Sequence, residues 1–501
     1  MMTQPSPSTQ TTALYDVIVV GGGAVGENVA DRTSQGGLST VIVENDLVGG
    51  ECSYWACMPS KVLLRSGAAL AAARRVPGAA ERLMTPAAGA GTAVVDVSAV
   101  LKRRDAIASN WSDEGQVRWL DSAGISLERG HGRLTGKREV TVTAADGAVT
   151  VLTARHAVVL STGSAALLPD IPGLNDVSPW TSREATSVQV VPPSLAIIGG
   201  GTVATEMATA FVSLGAKVTM IARSSILGAQ EPFAGSLVAS ALEESGATVL
   251  LETATTRAHR TASGEVELTL HDGRTVTAAE VLVAVGRVAV TNDLGVETVG
   301  LTPGEWLNVD DTLLVQGDSP MLSGSWLYAT GDVNKRALLT HQGKYQARGA
   351  GDAIVARSAG AVVDDGPWGA HVATADHAAV PQVTFTDPEV ASVGLTAAGA
   401  VKAGYRVRIL DHDLAALGGA STLADGYTGK ARMIVDLDRE VIIGATFVGQ
   451  DVAELLHSAT IAIVGEVSIG RLWHAVPSYP TLSEVWLRLL EQYGRPGIEL
   501  P

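Results

Sequence analysis

Runs of consecutive apolar residues that stop abruptly in glycine recur along the chain. The first, YDVIVV at residues 15 to 20, ends in four consecutive apolar residues, as in a strand buried on both faces, and it enters Gly21, Gly23 and Gly26. A helical stretch follows, then a second strand, TVIVE, ending at Glu44. Strand, glycines, helix and an acidic strand end 18 residues past Gly26 predict a βαβ dinucleotide unit. The glycines admit a pyrophosphate at the helix N-terminus, and the carboxylate can bond ribose hydroxyls. The plain alternative is a glycine-rich turn inside an ordinary α/β domain. The same pattern returns 178 residues later, where SLAIIGG enters Gly199, Gly201 and Ala204 ahead of a helical stretch and the strand KVTMIA. Two dinucleotides are expected.

No acid closes the second unit. Ala222 is followed by Arg223 and Ser224, which can pair with and bond a 2′-phosphate that a carboxylate would repel. NADPH is therefore the expected second nucleotide, with NADH possible; a solvated surface arginine is the bland reading of Arg223. Three further apolar runs stop in glycine turns: VVLSTGS at Thr162 and Gly163, VLVAVGR at Gly286, and YATGDV at Gly331 and Asp332. Residues 76 to 95 read as a Pro, Gly and Ala-rich loop, and 357 to 375 as a linker. Beyond it, VPQVTFT, KARMIVD and IIGATFVG read as strands before a helical stretch from about 451 to 465, which predicts an α+β domain.

Composition narrows the function. With 501 residues, 46% of them hydrophobic, the chain can bury several cores. A formal charge of −16 disfavours nucleic-acid or anionic-membrane surfaces and points to small molecules. No apolar run is long enough to span a bilayer, and the first dozen residues, 1–12, read as a disordered polar tail without a signal core, so a cytoplasmic protein is expected.

Cys52 and Cys57 are the only two cysteines, and they stand in GGECSYWACMPSK. A redox disulfide is one use for such a pair; two buried thiols that never pair is the other. Five residues of regular helix rise about 7.5 Å, more than the roughly 7 Å that bridged Cα atoms tolerate, so pairing needs a distorted first turn. Gly49 and Gly50 supply freedom before it, and Pro59 suits a helix start, where Cys57 would gain thiolate character, with Lys61 as a nearby cation. No zinc-ligand cluster is evident, and no metal is expected.

These motifs resemble, over nearly the whole chain, the pyridine nucleotide-disulfide oxidoreductases of the glutathione reductase and dihydrolipoamide dehydrogenase type. GGECSYWACMPSK is similar to the redox-disulfide signature, VAVGR and YATGDV to the interior nucleotide signatures, and YPTLSE to the C-terminal active-site motif. The resemblance implies an α/β fold with two Rossmann-like domains, for FAD and NAD(P), and a C-terminal α+β dimerisation domain. The expected boundaries are 13–172 and 291–365 for the FAD domain, 173–290 for the NAD(P) domain and 366–501 for the interface domain of a homodimer. It also implies Glu44 on the adenosine ribose, Asp332 on the ribitol chain, and Gly50 and Gly132 among the flavin-dinucleotide contacts. Cys57 would face the flavin as thiolate and Cys52 exchange with substrate, with Lys61 and Glu206 as an ion pair beside the flavin and a helix from near His341 aimed at it.

One position departs from the resemblance. Disulfide reductases of this type carry a histidine before Pro-Thr, paired with the glutamate five residues on; here the position is Tyr479, and Glu484 keeps its place. A phenol titrates near about 10 where imidazole titrates near about 6.5, so Tyr479 can donate a hydrogen bond but not shuttle protons by that route. His474 is an alternative base. Mercuric reductases share the tyrosine but add a C-terminal cysteine pair, and this chain ends EQYGRPGIELP without a thiol. Between the cysteines, Tyr54 and Trp55 either line an approach for a flat acceptor such as a quinone or pack against the domain. The expected function is FAD-dependent NAD(P)H oxidation through a Cys52–Cys57 disulfide to a small acceptor. The alternatives are a dihydrolipoamide dehydrogenase-like enzyme, direct flavin-to-quinone or metal-ion transfer, and a non-catalytic redox sensor.

Overall fold

A computed structural model describes residues 11–84, 95–495 and Gly497. The chain divides into two compact units: Met1–Met58, Asp105–Ala166 and Arg287–Asp376 form the first, and Pro59–Arg104, Leu167–Gly286 and His377–Pro501 the second.

The first unit is built on a seven-stranded sheet. Strand β1 (Thr11–Val20) lies at its centre, parallel to β2 (Thr40–Glu44) on one side and to β6 (Val149–Leu160) on the other. β3 (Ser126–Arg129) extends the β2 side, while β5 (Glu139–Thr143) and β4 (His131–Gly136) continue antiparallel beyond β6. The short strand Leu327–Ala329 also pairs with β6, Leu327 opposite Val158. Val17, Val19 and Ile42 are buried on one face of the sheet and Ile18, Val20, Val41 and Val43 on the other, which is why these strands are apolar without alternation. Helix α1 (Ala24–Gln35) and the helix Thr340–Ser358 cover the first of those faces.

Two expectations need correction. Residues 1–10 of the expected tail lie outside the described residues, but Thr11 and Thr12 are strand, paired with Thr150 and Val151; threonine's β-branched side chain suits a ladder as well as a tail. Within the stretch 76 to 95, residues 85–94 lie outside the described residues, whereas Ala79–Met84 is helix, because AAERLM holds good helix formers and neither glycine nor proline.

The second unit holds a four-stranded parallel sheet in the order Thr248–Leu250, Lys217–Ile221, Ser194–Ile198, Glu280–Val283. It also holds a five-stranded antiparallel sheet running from Gln382–Thr384 to Val407–Asp413, with the helix Leu456–Val464 packed on it. Residues 59–104, which the sequence groups with the FAD domain, contribute here: Leu63, Leu64, Val100 and Leu101 share a core with Ala204, Met207 and Phe211. The expected α/β architecture, with two Rossmann-like sheets and a C-terminal α+β layer, is what the chain adopts.

Candidate active site

The parallel part of the first sheet and the parallel sheet of the second unit both reverse strand order at a central strand, and ligands of open α/β sheets bind outside the carboxyl ends of strands at that point. In the first unit the crevice is the turn from β1 into α1. A Cβ on Gly26 would lie 1.9 Å from the Gly21 carbonyl oxygen, so only glycine lets the helix start this close to the strand. Gly23 faces Gly50, where φ is +62° and a Cβ would lie 2.7 Å from the Gly23 α-carbon. The Glu44 carboxylate closes the turn by accepting the Gly22 N–H at 2.6 Å and the Asp46 N–H at 2.7 Å, and burial raises its pKa. Gly132 sits in β4 with its α-carbon against the Val43 and Val20 side chains.

Thr162 and Gly163 follow β6, the Thr162 hydroxyl donating to the Val290 carbonyl at 2.9 Å. Gly331 and Asp332 open the turn after Leu327–Ala329. Asp332 accepts the Ser164 hydroxyl at 2.6 Å, and burial pushes its pKa up against that bond and the pull of Arg287. Arg287 also reaches Glu51 at 2.7 Å, tying this turn to the segment that carries the cysteines. Ser164, Arg287 and Glu51 each lie inside a motif visible in the sequence, Arg287 as the end of VLVAVGR, but nothing in the sequence pairs them.

The cysteine segment is a broken helix. Gly50–Tyr54 forms α2, Trp55 leaves helical geometry at φ −137° and ψ 5°, and α3 restarts at Cys57 to run to Arg74. Pro59 lies in the first turn of α3, where its missing N–H costs nothing. This is the distortion that pairing requires. Cys52 and Cys57 are both partly buried, and a hydrogen bond between them is the main cause of a raised Cys52 pKa, with burial second. Thr340, first residue of the helix Thr340–Ser358, places its hydroxyl 3.4 Å from the Cys57 sulfur, and His341 follows on an exposed position. Tyr54 is buried and donates to the Val48 carbonyl at 3.0 Å; the Trp55 ring lies 5.5 Å from its ring, tilted by 58°. Both aromatics therefore pack on each other as well as flanking the thiols.

In the second unit the turn after Ser194–Ile198 holds Gly199, Gly201 and the buried Ala204, and Gly286 closes the run after Glu280–Val283. Arg223 and Ser224 are exposed just past the strand Lys217–Ile221. Lys61 and Glu206 meet at 2.7 Å. Glu206 is 3% exposed and also accepts the Phe385 N–H at 3.0 Å, while the Lys61 ammonium lies 5.0 Å from the Phe385 ring centre. Tyr479 and Glu484 do not meet: Tyr479 is 76% exposed with its ring against Gly418, and buried Glu484 is held by Arg488. The second Glu484 oxygen, Oε2, is buried without a hydrogen-bond partner. His474 is exposed.

Among the described residues no three His, Cys, Asp or Glu side chains cluster as metal ligands, and no helix is long and apolar enough to cross a membrane. A family profile described as pyridine nucleotide-disulphide oxidoreductase matches residues 15–359, and its dimerisation domain matches residues 380–489. A dihydrolipoyl dehydrogenase of Chlorobaculum tepidum is 31% identical over 479 residues, covering 94% of this chain and 95% of that protein. A mercuric reductase of Streptomyces lividans is 30% identical over 484 residues, covering 95% and 96%. The Cu(II) complex of the HOCl-induced flavoprotein disulfide reductase RclA from Escherichia coli superposes with a TM-score of 0.80 at 19% identity, over 96% of this chain and 100% of that one. LpdA from Mycobacterium tuberculosis does so with a TM-score of 0.79 at 22% identity, over 97% and 100%.

Proposed function

The chain belongs to the pyridine nucleotide-disulphide oxidoreductase family, and on that premise we propose that it is an NADPH-using flavin disulfide reductase in which Cys52 and Cys57 cycle during turnover. The observation that carries this reading is the helix break at Trp55, which leaves the two sulfurs within hydrogen-bonding reach of each other. FAD is the family's cofactor, and the crevice of Gly21, Gly23, Gly26 and Gly50, where added Cβ atoms would collide, fits its pyrophosphate, with Glu44 for the ribose and Asp332 for the ribitol. When bound, it supplies the two-electron link between nicotinamide and sulfur.

The residues then divide the work. Arg223 and Ser224 select the 2′-phosphate, beside the Gly199, Gly201 and Ala204 turn. Each hydride equivalent from NADPH opens the disulfide into one thiol and one thiolate. The Cys52 thiol keeps the proton while it donates a hydrogen bond to Cys57, and the α3 N-terminus favours charge on Cys57, whose sulfur lies 3.4 Å from the Thr340 hydroxyl. Lys61, held by Glu206, supplies a fixed cation for the flavin side. The matching dimerisation profile supports a homodimer.

Anaerobic NADPH titration tests this: a long-wavelength thiolate-to-flavin absorbance band is expected at two electrons, and Cys52→Ser, which has no disulfide to take the electrons, should show the band before any NADPH is added, lose it on reduction, and lack disulfide turnover. Two-electron reduction without the band discards the reading. Direct transfer to a quinone or metal ion is favoured by one observation, that Tyr479 is exposed and makes no contact with Glu484. That alternative predicts full quinone reduction by Cys52→Ser.

A further inference from the structure

Resting on the disulfide reading above, we propose that Lys344 is a positioning cation that readies Cys52 for attack on the acceptor, and that Glu27 is the counter-charge that holds it there. Lys344 lies four residues past Thr340 in the helix Thr340–Ser358, so it shares the face whose first residue touches the Cys57 sulfur at 3.4 Å. This helix runs beside α1. The Gly343 α-carbon abuts the Val25 side chain, Arg348 donates to Asn28 at 3.4 Å, and Arg32 pairs with Asp352 at 2.6 Å. That register brings Glu27, in the first turn of α1, opposite Lys344. The Glu27 oxygen Oε1 is buried without a hydrogen-bond partner, and the attraction of Lys344 acts on Glu27 and on the Cys52 thiol alike. Glu44 and Tyr54 are the other titratable groups that face Glu27, and Cys57 is the one that most opposes ionisation of Cys52.

The chemistry needs such a cation. In exchange with a disulfide acceptor, the Cys52 thiol loses its proton, its sulfur attacks one acceptor sulfur, and the first thiolate leaves and takes up that proton. Cys57 thiolate then attacks the Cys52 sulfur, expels the second thiolate and restores the enzyme disulfide. The Cys57 hydrogen bond and burial both hold the Cys52 proton in place, and Tyr479 offers no base to remove it. A charge a few ångströms away commonly moves a thiol pKa by about one unit or more. The Thr340 hydroxyl favours the Cys52 thiolate through a hydrogen bond, Lys344 adds a full positive charge to that pull, and Glu27 sets how much of the charge Cys52 receives.

The test is iodoacetamide alkylation of Cys52 in NADPH-reduced holoenzyme, read by peptide mass spectrometry across pH. Lys344→Gln is expected to slow alkylation at neutral pH about tenfold and raise its pH midpoint, and Lys344→Arg to restore both. Glu27→Gln is expected to lower the midpoint. An unshifted midpoint in Lys344→Gln, or an upward one in Glu27→Gln, overturns the assignment; if Lys344→Gln does not fold, Glu27→Gln decides alone. The absorbance band separates the two levels: its absence from the unsubstituted enzyme removes the disulfide reading and this inference together. Its presence with unmoved Cys52 reactivity removes only this inference.

Discussion

Arg223 stands exposed past the strand Lys217–Ile221. Charge-assisted hydrogen bonds contribute about 1.5–3 kcal/mol, so Arg223→Ala is expected to raise the KM for NADPH roughly 10- to 100-fold and leave that for NADH nearly unchanged, as steady-state kinetics with both nucleotides will show. Glu27 makes the opposite demand, because burial raises its pKa from 4.5 to about 7. A carboxyl that binds its proton more tightly when folded adds stability below the unfolded pKa and loses it as pH rises through the folded one. Glu27→Gln should therefore match the parent near pH 4.5 and be more stable above pH 7, by up to about 3 kcal/mol, measured as the difference in Tm between the two proteins at each pH. Spaced motifs exposed Glu44 and the cysteine pair, and the family resemblance pointed to Lys61 and Glu206. The sequence concealed Glu27 and Lys344, whose proximity depends on the register of two helices far apart along the chain. It also could not show that Tyr479 faces outward while Glu484 turns to Arg488.

Elements were legible where one force dominated. Strands buried on both faces, such as VIVV and TVIV, announce themselves by unbroken apolar runs, and the glycine turns follow from the close approach of helix to strand. Where local preference was weak the outcome was settled elsewhere: Thr11 and Thr12 became strand because β6 offers them a partner, and Ala79–Met84 took the helix that its alanines and leucine permit. The turn between β1 and α1 is the least forgiving element. Gly26→Ala puts a methyl group 1.9 Å from the Gly21 oxygen, so the helix must move away from the strand end. Such overpacking costs about 1–3 kcal/mol, and the purified variant is expected to carry little flavin, read from its flavin-to-protein absorbance ratio.

At the scale of the whole molecule, the C-terminal layer leaves Ile461 57% and Val476 85% exposed, alongside Val464 and Tyr479. Ile461 and Val464 lie three residues apart on one face of the helix Leu456–Val464, an exposed apolar pair that the proposed homodimer would cover. Ile461→Asp is expected to convert a species of twice the 51.5 kDa chain mass into monomer in sedimentation, with loss of acceptor turnover. The two βαβ units and the later strands were legible, but the excursion of residues 59–104 was not: they leave one compact unit for the other, and the chain then returns. That path has a cost during synthesis. The first sheet gains Leu327–Ala329 beside β6, and its covering helix Thr340–Ser358, only after the whole Leu167–Gly286 segment has been made. At bacterial or eukaryotic elongation rates of about 5–20 residues per second, the nascent N-terminal strands wait on the ribosome for tens of seconds with an open apolar face. Chaperone dependence of this protein in the cell should accordingly concentrate on that interval, before the final third of the chain emerges.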